Sequence, residues 1–466
     1  MKKFQSIILT ICLLAAMTGC NNDSEKKEKD SSSKTSHSSS ESENKETSAS
    51  ESENKETSAS EATTEATSQN TTEESKTEPS NPKKEVKLLD MDKQIIHESA
   101  SSIQYAATLT EMSCSTASLG KNAAKEYPDL ASSITNISDF YEVNLLEQND
   151  MYAESAEEAL SSGEENFETY IFDLNVHVRR ADSVAVSILH DSYDYYGFDS
   201  ERRSFWGENF NTETGETIYL PDVVTDIDKL AEVVEAELYK SFGADTFYSD
   251  TAIENYFKDY GEDGSHWTLE YNGVTIYFDD GDIAGSGVGD ISVTIEFEKY
   301  PELFKEKYKN TPDAYIVGLP MKSTFYTDLD GDGSSEELTI ADSYEGEVGV
   351  DRTLGLRIST SETDYTEKLM ANDCEAYYVK TADGKNYLYV LMELEAQTEL
   401  YTFQITNTSI NKVGKQSISP HYSDQTVSVL TDPDNMHFDI FGKADIEPVG
   451  DDFFTVGSDG MPVMKE

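Results

Sequence analysis

Basic side chains are scarce in this chain: 36 lysines and arginines face 91 aspartates and glutamates. A protein so short of positive charge has no electrostatic footprint for nucleic acid, and binding to the phosphate backbone is excluded as a function. Cysteine is equally sparse. Of four, Cys12 and Cys20 fall in the first twenty residues, which leaves Cys114 and Cys374 as either one long-range disulfide or two free thiols. No His-x-x-x-His pair and no Gly-x-Ser-x-Gly elbow occurs, so a histidine-ligated metal hydrolase and a serine hydrolase lack their motifs. Single histidines such as His177, His190 and His266 read as ordinary strand and loop residues, because each lacks a matched set of ligands.

What is present begins with an address. Lys2 and Lys3 precede an apolar run from Ile7 to Met17, and Thr18-Gly19-Cys20 follows. A basic start, a short apolar stretch and small residues before a cysteine compose a secretory signal, too short to span a bilayer. The segment resembles the lipobox of bacterial lipoproteins, with Met17 where leucine is more usual. That resemblance implies cleavage before Cys20, lipidation of its thiol and anchoring to the outer face of the cell membrane.

From Asn21 to about Pro82 the chain is Ser, Thr, Glu, Lys and Asn, and the decamer ESENKETSAS stands at 41–50 and again at 51–60. Such a composition cannot bury enough apolar surface to offset the entropy of ordering. As a flexible coil, residues 20–85 give a root-mean-square reach of about 45 Å, a tether's length. The negative charge lies beyond it. Residues 86–466 hold 75 acidic against 25 basic groups, a net charge of −50. An anionic body favours encounters with cationic proteins and cations, an effect that fades as salt rises.

Ordered sequence begins near Val86. Ile103, Tyr105, Ala107 and Leu109 alternate as on a half-buried strand; Leu130, Ile134, Ile137, Tyr141, Leu145 and Leu146 then keep helical spacing. Strands are predicted at about 169–190 from Phe172, Leu174, Val176 and Val178, then Val184, Val186 and Ile188. A helix at 226–240 presents Leu230, Val233, Val234 and Leu238 on one face, and Asn272-Gly273 marks a hairpin. Mixed helices and strands in this order predict an α+β fold over 86–310. Short strands at 353–359, 375–380, 386–393, 399–405 and 424–430 predict a separate β-rich domain over 311–466.

The stretch NFNTETGETIYLPDVV, followed by WTLEYNGVTIYFDDGDIAGSGVGDISVTIEFEKY and PELF, resembles the C-terminal domain family of RsiV and PdaC, domain of unknown function 3298. KEYPDLASSITNISDF resembles the 4163-type segment that precedes it, and the likeness covers roughly residues 88–310. Gly281-Asp282-Ile283-Ala284-Gly285-Ser286 departs from the family's Tyr-x-Ile-Ala-Pro-Tyr loop. The resemblance implies an extracytoplasmic binding domain, which in RsiV captures lysozyme. With a lipidated Cys20 and no spanning helix, release of a sigma factor is not expected, and binding at the surface is. Phe278-Asp279-Asp280-Gly281 is compared with the deacetylase Thr-Phe-Asp-Asp-Gly-Pro of PdaC, but Tyr277 and Asp282 replace its ends and no partner histidines exist.

A last motif carries definite chemistry. In Asp328-Leu329-Asp330-Gly331-Asp332-Gly333-Ser334-Ser335-Glu336, three aspartates alternate toward a glycine turn, the spacing by which a loop supplies hard oxygens to calcium. Asp328, Asp330 and Asp332 offer carboxylates, Ser334 its carbonyl, and Glu336 closes the site. Thr339 at position 12 departs from the EF-hand, and the loop is similar to the DxDGDGxxE loops of β-propeller repeats. Two readings of function remain. One is a non-enzymatic, surface-tethered lipoprotein binding an envelope component, a cationic wall hydrolase such as lysozyme being the partner its charge suits. The other is a wall-modifying or wall-sensing accessory protein that recognises peptidoglycan or another glycan.

Overall fold

The computed structural model describes residues 85–163, 167–197, 201–261, 264, 266–346, 353–394, 398–418, 426–438 and 453–465, all within one unit, Pro79–Glu466. The signal segment, Cys20 and the repeat tether lie outside the described residues. Strand β1 (Met91–Ser102) folds back on β2 (Ala107–Leu119). Ile103, expected on a strand, sits in the turn between them at 99 % exposure, because residues 103–106 form the reversal and Ala106 takes a positive φ of 50°. A six-residue helix, Lys121–Glu126, leads into the long helix Pro128–Ser162, opened by its proline and stopped by Gly163 in the left-handed region. Leu130, Ile134, Tyr141 and Leu145 are buried beneath it as their spacing predicts, whereas Leu146 stays half exposed at the edge of that face.

The long helix is a crossover. It carries the chain from β2 to β3 (Tyr170–Ala181), which pairs parallel to β2; β4 (Ala185–Tyr195) and β5 (Arg202–Asn211) extend the sheet antiparallel. Helices Ile227–Phe242 and Ala252–Tyr260 follow and pack with β6 (Trp267–Leu269), β7 (Gly273–Phe278) and β8 (Ile291–Glu296), a three-stranded sheet with its own apolar core. Gly207 lets this sheet approach β5: a Cβ there would stand 1.9 Å from the Trp267 carbonyl. Asn209 and Ser187 fasten the contact, both accepting from Leu269 N–H at 3.1 Å.

The remainder is β-rich. Strand β9 (Tyr315–Leu319) precedes a four-stranded meander, β10 (Thr324–Thr327), β11 (Glu336–Glu345), β12 (Thr353–Thr360) and β13 (Asp364–Leu369). Strands β14 (Asp373–Lys380), β15 (Asn386–Glu393), β16 (Thr398–Thr406) and β17 (Ser409–Ile418) join β9 in a five-stranded sheet. Then β18 (Thr426–Val429) returns to pair with β1, Met91 opposite Val429, as the sixth strand of the first sheet. The β-rich region expected to stand apart from residue 311 onward therefore packs into the preceding fold. One apolar cluster joins Leu130, Ile134, Val176 and Val178 to Tyr377, Val379, Tyr387 and Tyr389.

Two adjacent arginines sit where these parts meet. The β3–β4 register shifts between Val178 and Arg180, and the irregularity accommodates Arg179 and Arg180 side by side in the interior. Arg180 is 0 % exposed; it donates to Asp182 Oδ2 at 2.8 Å and to the carbonyls of Glu270, Tyr308 and Asn310. Arg179 donates to Glu270 Oε1 at 2.9 Å and to the Gly318 carbonyl at 2.7 Å, its guanidinium 5.1 Å from the Phe325 ring centre. Removing one partner of a buried pair strands the other as an uncompensated charge. Arg180→Met is expected to cost about 3–5 kcal/mol, read as a lowered urea midpoint; a variant within about 1 kcal/mol of the parent contradicts this role.

Candidate functional site

The first sheet has two unlike faces. Along β3, Phe172, Leu174 and Val176 are buried, Phe172 and Leu174 with Tyr141 and Leu145 of the long helix. Their alternates, Asp173, Asn175 and His177, line a cleft of about 460 Å³. Asp191 and Tyr193 of β4, and Glu201 and Arg203 at β5, continue the floor. Asp290, Lys322 and Asp342 form one wall, and Asp373, Glu375 and Glu393 of β14 and β15 another. Eight carboxylates therefore face three lysine or arginine side chains: Lys93, Arg203 and Lys322.

Each of those cations is already held. Arg203 forks onto Asp191 with bonds of 2.7 and 2.6 Å and donates to the Met321 carbonyl at 2.6 Å. Lys93 Nζ is 2.5 Å from Glu375 and Lys322 Nζ 3.1 Å from Asp342. Burial opposes the charge on Asp191, but hydrogen bonds from Arg203 outweigh it and hold that carboxyl below its ordinary range. Elsewhere burial wins. It raises Asp173, Asp373 and Glu393, and it pushes Asp290 up to about 6 although Arg203 pulls the other way. A cation brought among carboxylates raised in this way stabilises their charged form.

The proposed calcium loop joins β10 to β11. Oxygens of Asp328, Asp330 and Asp332 lie within 4.8 Å of one another, and Gly331 and Gly333 take φ of 82° and 88° to make the turn. Asp328 accepts from Gly331 and Gly333 N–H, Asp330 from Asp332 N–H, and Asp332 from Ser334 N–H. Glu336 stands outside that trio of close oxygens. Its buried carboxylate accepts from Leu329 N–H at 2.8 Å, and Asn386 donates to the Leu329 carbonyl, so the loop is pinned to the core at its second residue. The donors are hard oxygens, the class calcium prefers.

Other residues singled out by sequence have structural work. Asp279 accepts from Phe205 N–H, Asp282 from Asp279 N–H, and Asp280 from Gly287 and Gly289 N–H, so the deacetylase-like aspartates stitch a loop. His190 stacks on Trp206 at 5.3 Å beneath the long helix. Cys114 and Cys374 are free thiols; burial pushes Cys114 up to about 12 and raises Cys374 as well. No local motif marks the cleft; its one signal in the sequence is that Asp173, Asn175 and His177 are the polar alternates of an apolar strand.

The family described as "Protein of unknown function (DUF3298)" matches residues 216–298, which begin after the turn that follows β5 and end just past β8. A solved structure of a DUF3298 family member from Bacteroides fragilis is similar at 16 % identity over 47 % of this chain and 95 % of that one, with a TM-score of 0.36. A DUF3298 family protein from Pseudomonas aeruginosa gives 16 % identity, 47 % and 96 % coverage, and a TM-score of 0.31. No curated protein matches the chain.

The cleft makes a signed prediction about pH. Desolvation sets the folded-state pKa of Asp290 near 6, above the value of about 4 in an unfolded chain. Its protonation therefore favours folding, a contribution complete below about pH 4 and lost as pH rises through about 6. Asp290→Asn is expected to flatten the melting temperature over that window, measured by circular dichroism; an unchanged slope contradicts the assignment.

Proposed function

We propose that this chain is a lipid-anchored, extracytoplasmic binding protein whose anionic cleft receives a cationic protein of the envelope. The observation that carries the reading is the lining of that cleft, eight carboxylates against three cations that already have partners. A body of net charge −50 supports it, since opposite potentials speed encounter and select partners more than they deepen affinity. The lipobox-like Cys20 and the segment after it supply anchor and tether in this reading. Lysozyme, or another cationic wall hydrolase, has the chemistry the cleft would accept, and the resemblance to the RsiV and PdaC family points the same way.

Binding without chemistry suits the groups present. Burial raises the Cys374 thiol at the cleft wall, which keeps it protonated and a poor nucleophile. His177 is lowered by burial, and Asp191 is committed to Arg203. We further propose that Asp328, Asp330 and Asp332, with the Ser334 carbonyl, hold calcium in a structural role, Glu336 bracing the loop through Leu329. Three like charges within 4.8 Å repel one another until a cation lies among them.

Two measurements test these readings. Immobilised full chain is expected to retain lysozyme at about 50 mM salt and release it near 0.5 M, where the Debye length shrinks to a few ångström. Salt-insensitive retention on peptidoglycan with no lysozyme binding supports the wall-recognition alternative and contradicts the first. Calcium is expected to raise the melting temperature with a midpoint of about 10⁻⁴–10⁻³ M, and Asp330→Asn to abolish that response. A parent protein indifferent to calcium at about 10 mM, ten times that range, removes the metal from the account.

A further inference from the structure

One side chain on the cleft floor is held in the fold by no more than a long contact with a carboxylate. The His177 side chain is 10 % exposed, and neither ring nitrogen has a hydrogen-bond partner. Its Nε2 stands 3.8 Å from Asp191 Oδ2, beyond hydrogen-bonding length. A buried polar group left in that state costs about 1–3 kcal/mol. Burial lowers the imidazole's pKa and outweighs the pull of Asp191, so the ring is neutral near pH 7 and presents one acceptor nitrogen.

The surroundings say which ligand that acceptor suits. An anion is excluded by the carboxylates around it. A metal ion needs several converging donors, yet among the described residues the one group of three close enough is Asp328, Asp330 and Asp332. Resident cations do not fill the place, because Lys93 is spent on Glu375 and Arg203 on Asp191. Asp373 and Glu393 both line the cleft and stand opposite one another in register across β14 and β15. An N–H donor bearing positive charge satisfies both the neutral ring and the carboxylates at once.

We propose that His177 and Asp191 form the floor of a subsite for a lysine or arginine side chain of the protein ligand, with Asp373 and Glu393 holding its charge at the wall. The ammonium or guanidinium donates to His177 a hydrogen bond of ordinary length, which the 3.8 Å contact with Asp191 does not provide. This rests on the reading of the cleft as a cation-binding site and specifies what enters it.

The test uses trilysine as the probe, with triglutamate as control, on full chain carrying isotope-labelled histidine. At low salt, trilysine is expected to shift the His177 ring-nitrogen resonances saturably, with His190 and His266 unmoved. The Asp373→Asn/Glu393→Gln double variant is expected to weaken that response about tenfold, a loss near 1.4 kcal/mol. His177→Phe, if it folds, removes the binding outright; if it does not fold, the double variant carries the test. Lysozyme or trilysine binding with no response at His177, or with an unaffected double variant, overturns the subsite. In the lysozyme case the broader binding reading survives. A saturable His177 response to trilysine without lysozyme retention upholds the subsite and overturns lysozyme as the partner.

Discussion

The buried pair Arg179 and Arg180 is the constraint on which the rest of this structure depends. Within two residues, one strand reaches the β6–β7 turn through Glu270, the stretch before β9 through Tyr308 and Asn310, and β9 itself through Gly318. These carbonyls belong to segments far apart in sequence, and each would lose a bond if the guanidinium were absent. Asp182 completes the arrangement: while it accepts from Arg180, its other oxygen receives the Val184 and Ala185 N–H groups that turn β3 into β4. Replacing such a buried pair whole by apolar residues changes net stability little, whereas losing the guanidinium alone strands its carboxylate, so the pair's contribution lies in fixing one geometry among many.

The cleft is a consequence of that geometry. Holding Gly318 against Arg179 brings the following turn over the sheet, where Arg203 binds the Met321 carbonyl and Lys322, at a φ of 62°, aims its ammonium at Asp342. The sheet thus spends its apolar face on the long helix and keeps its polar face as the floor of an anionic cavity.

Much of the fold was readable because periodicity survives in the sequence. Leu130 through Leu145 keeps the helix's spacing, Asn272-Gly273 marks its turn, and the β-rich stretches from 353 onward fall on observed strands. Ile103 misled because an apolar side chain in a turn looks like one on a strand. The junction between the two regions was invisible, since the pairing of Met91 with Val429 and the carbonyls bound by Arg180 are long-range contacts with no local signal. For the same reason the calcium-type loop, local in sequence, stood out, whereas the cleft draws Asp173, Asp290 and Asp373 from three distant segments. Aspartates near Gly281 attracted a catalytic comparison because their backbone duties cannot be read from their names.

The central claim is that the cleft, and not overall acidity, receives the cation. It is tested most directly by comparing lysozyme affinity in two variants of equal net charge. One carries Glu201→Gln, Asp290→Asn, Asp373→Asn and Glu393→Gln in the cleft; the other carries Glu147→Gln, Asp150→Asn, Glu154→Gln and Glu157→Gln on the exposed side of the long helix. Loss of affinity confined to the cleft variant is the predicted result. Equal losses in both, or none in the cleft variant, contradict it.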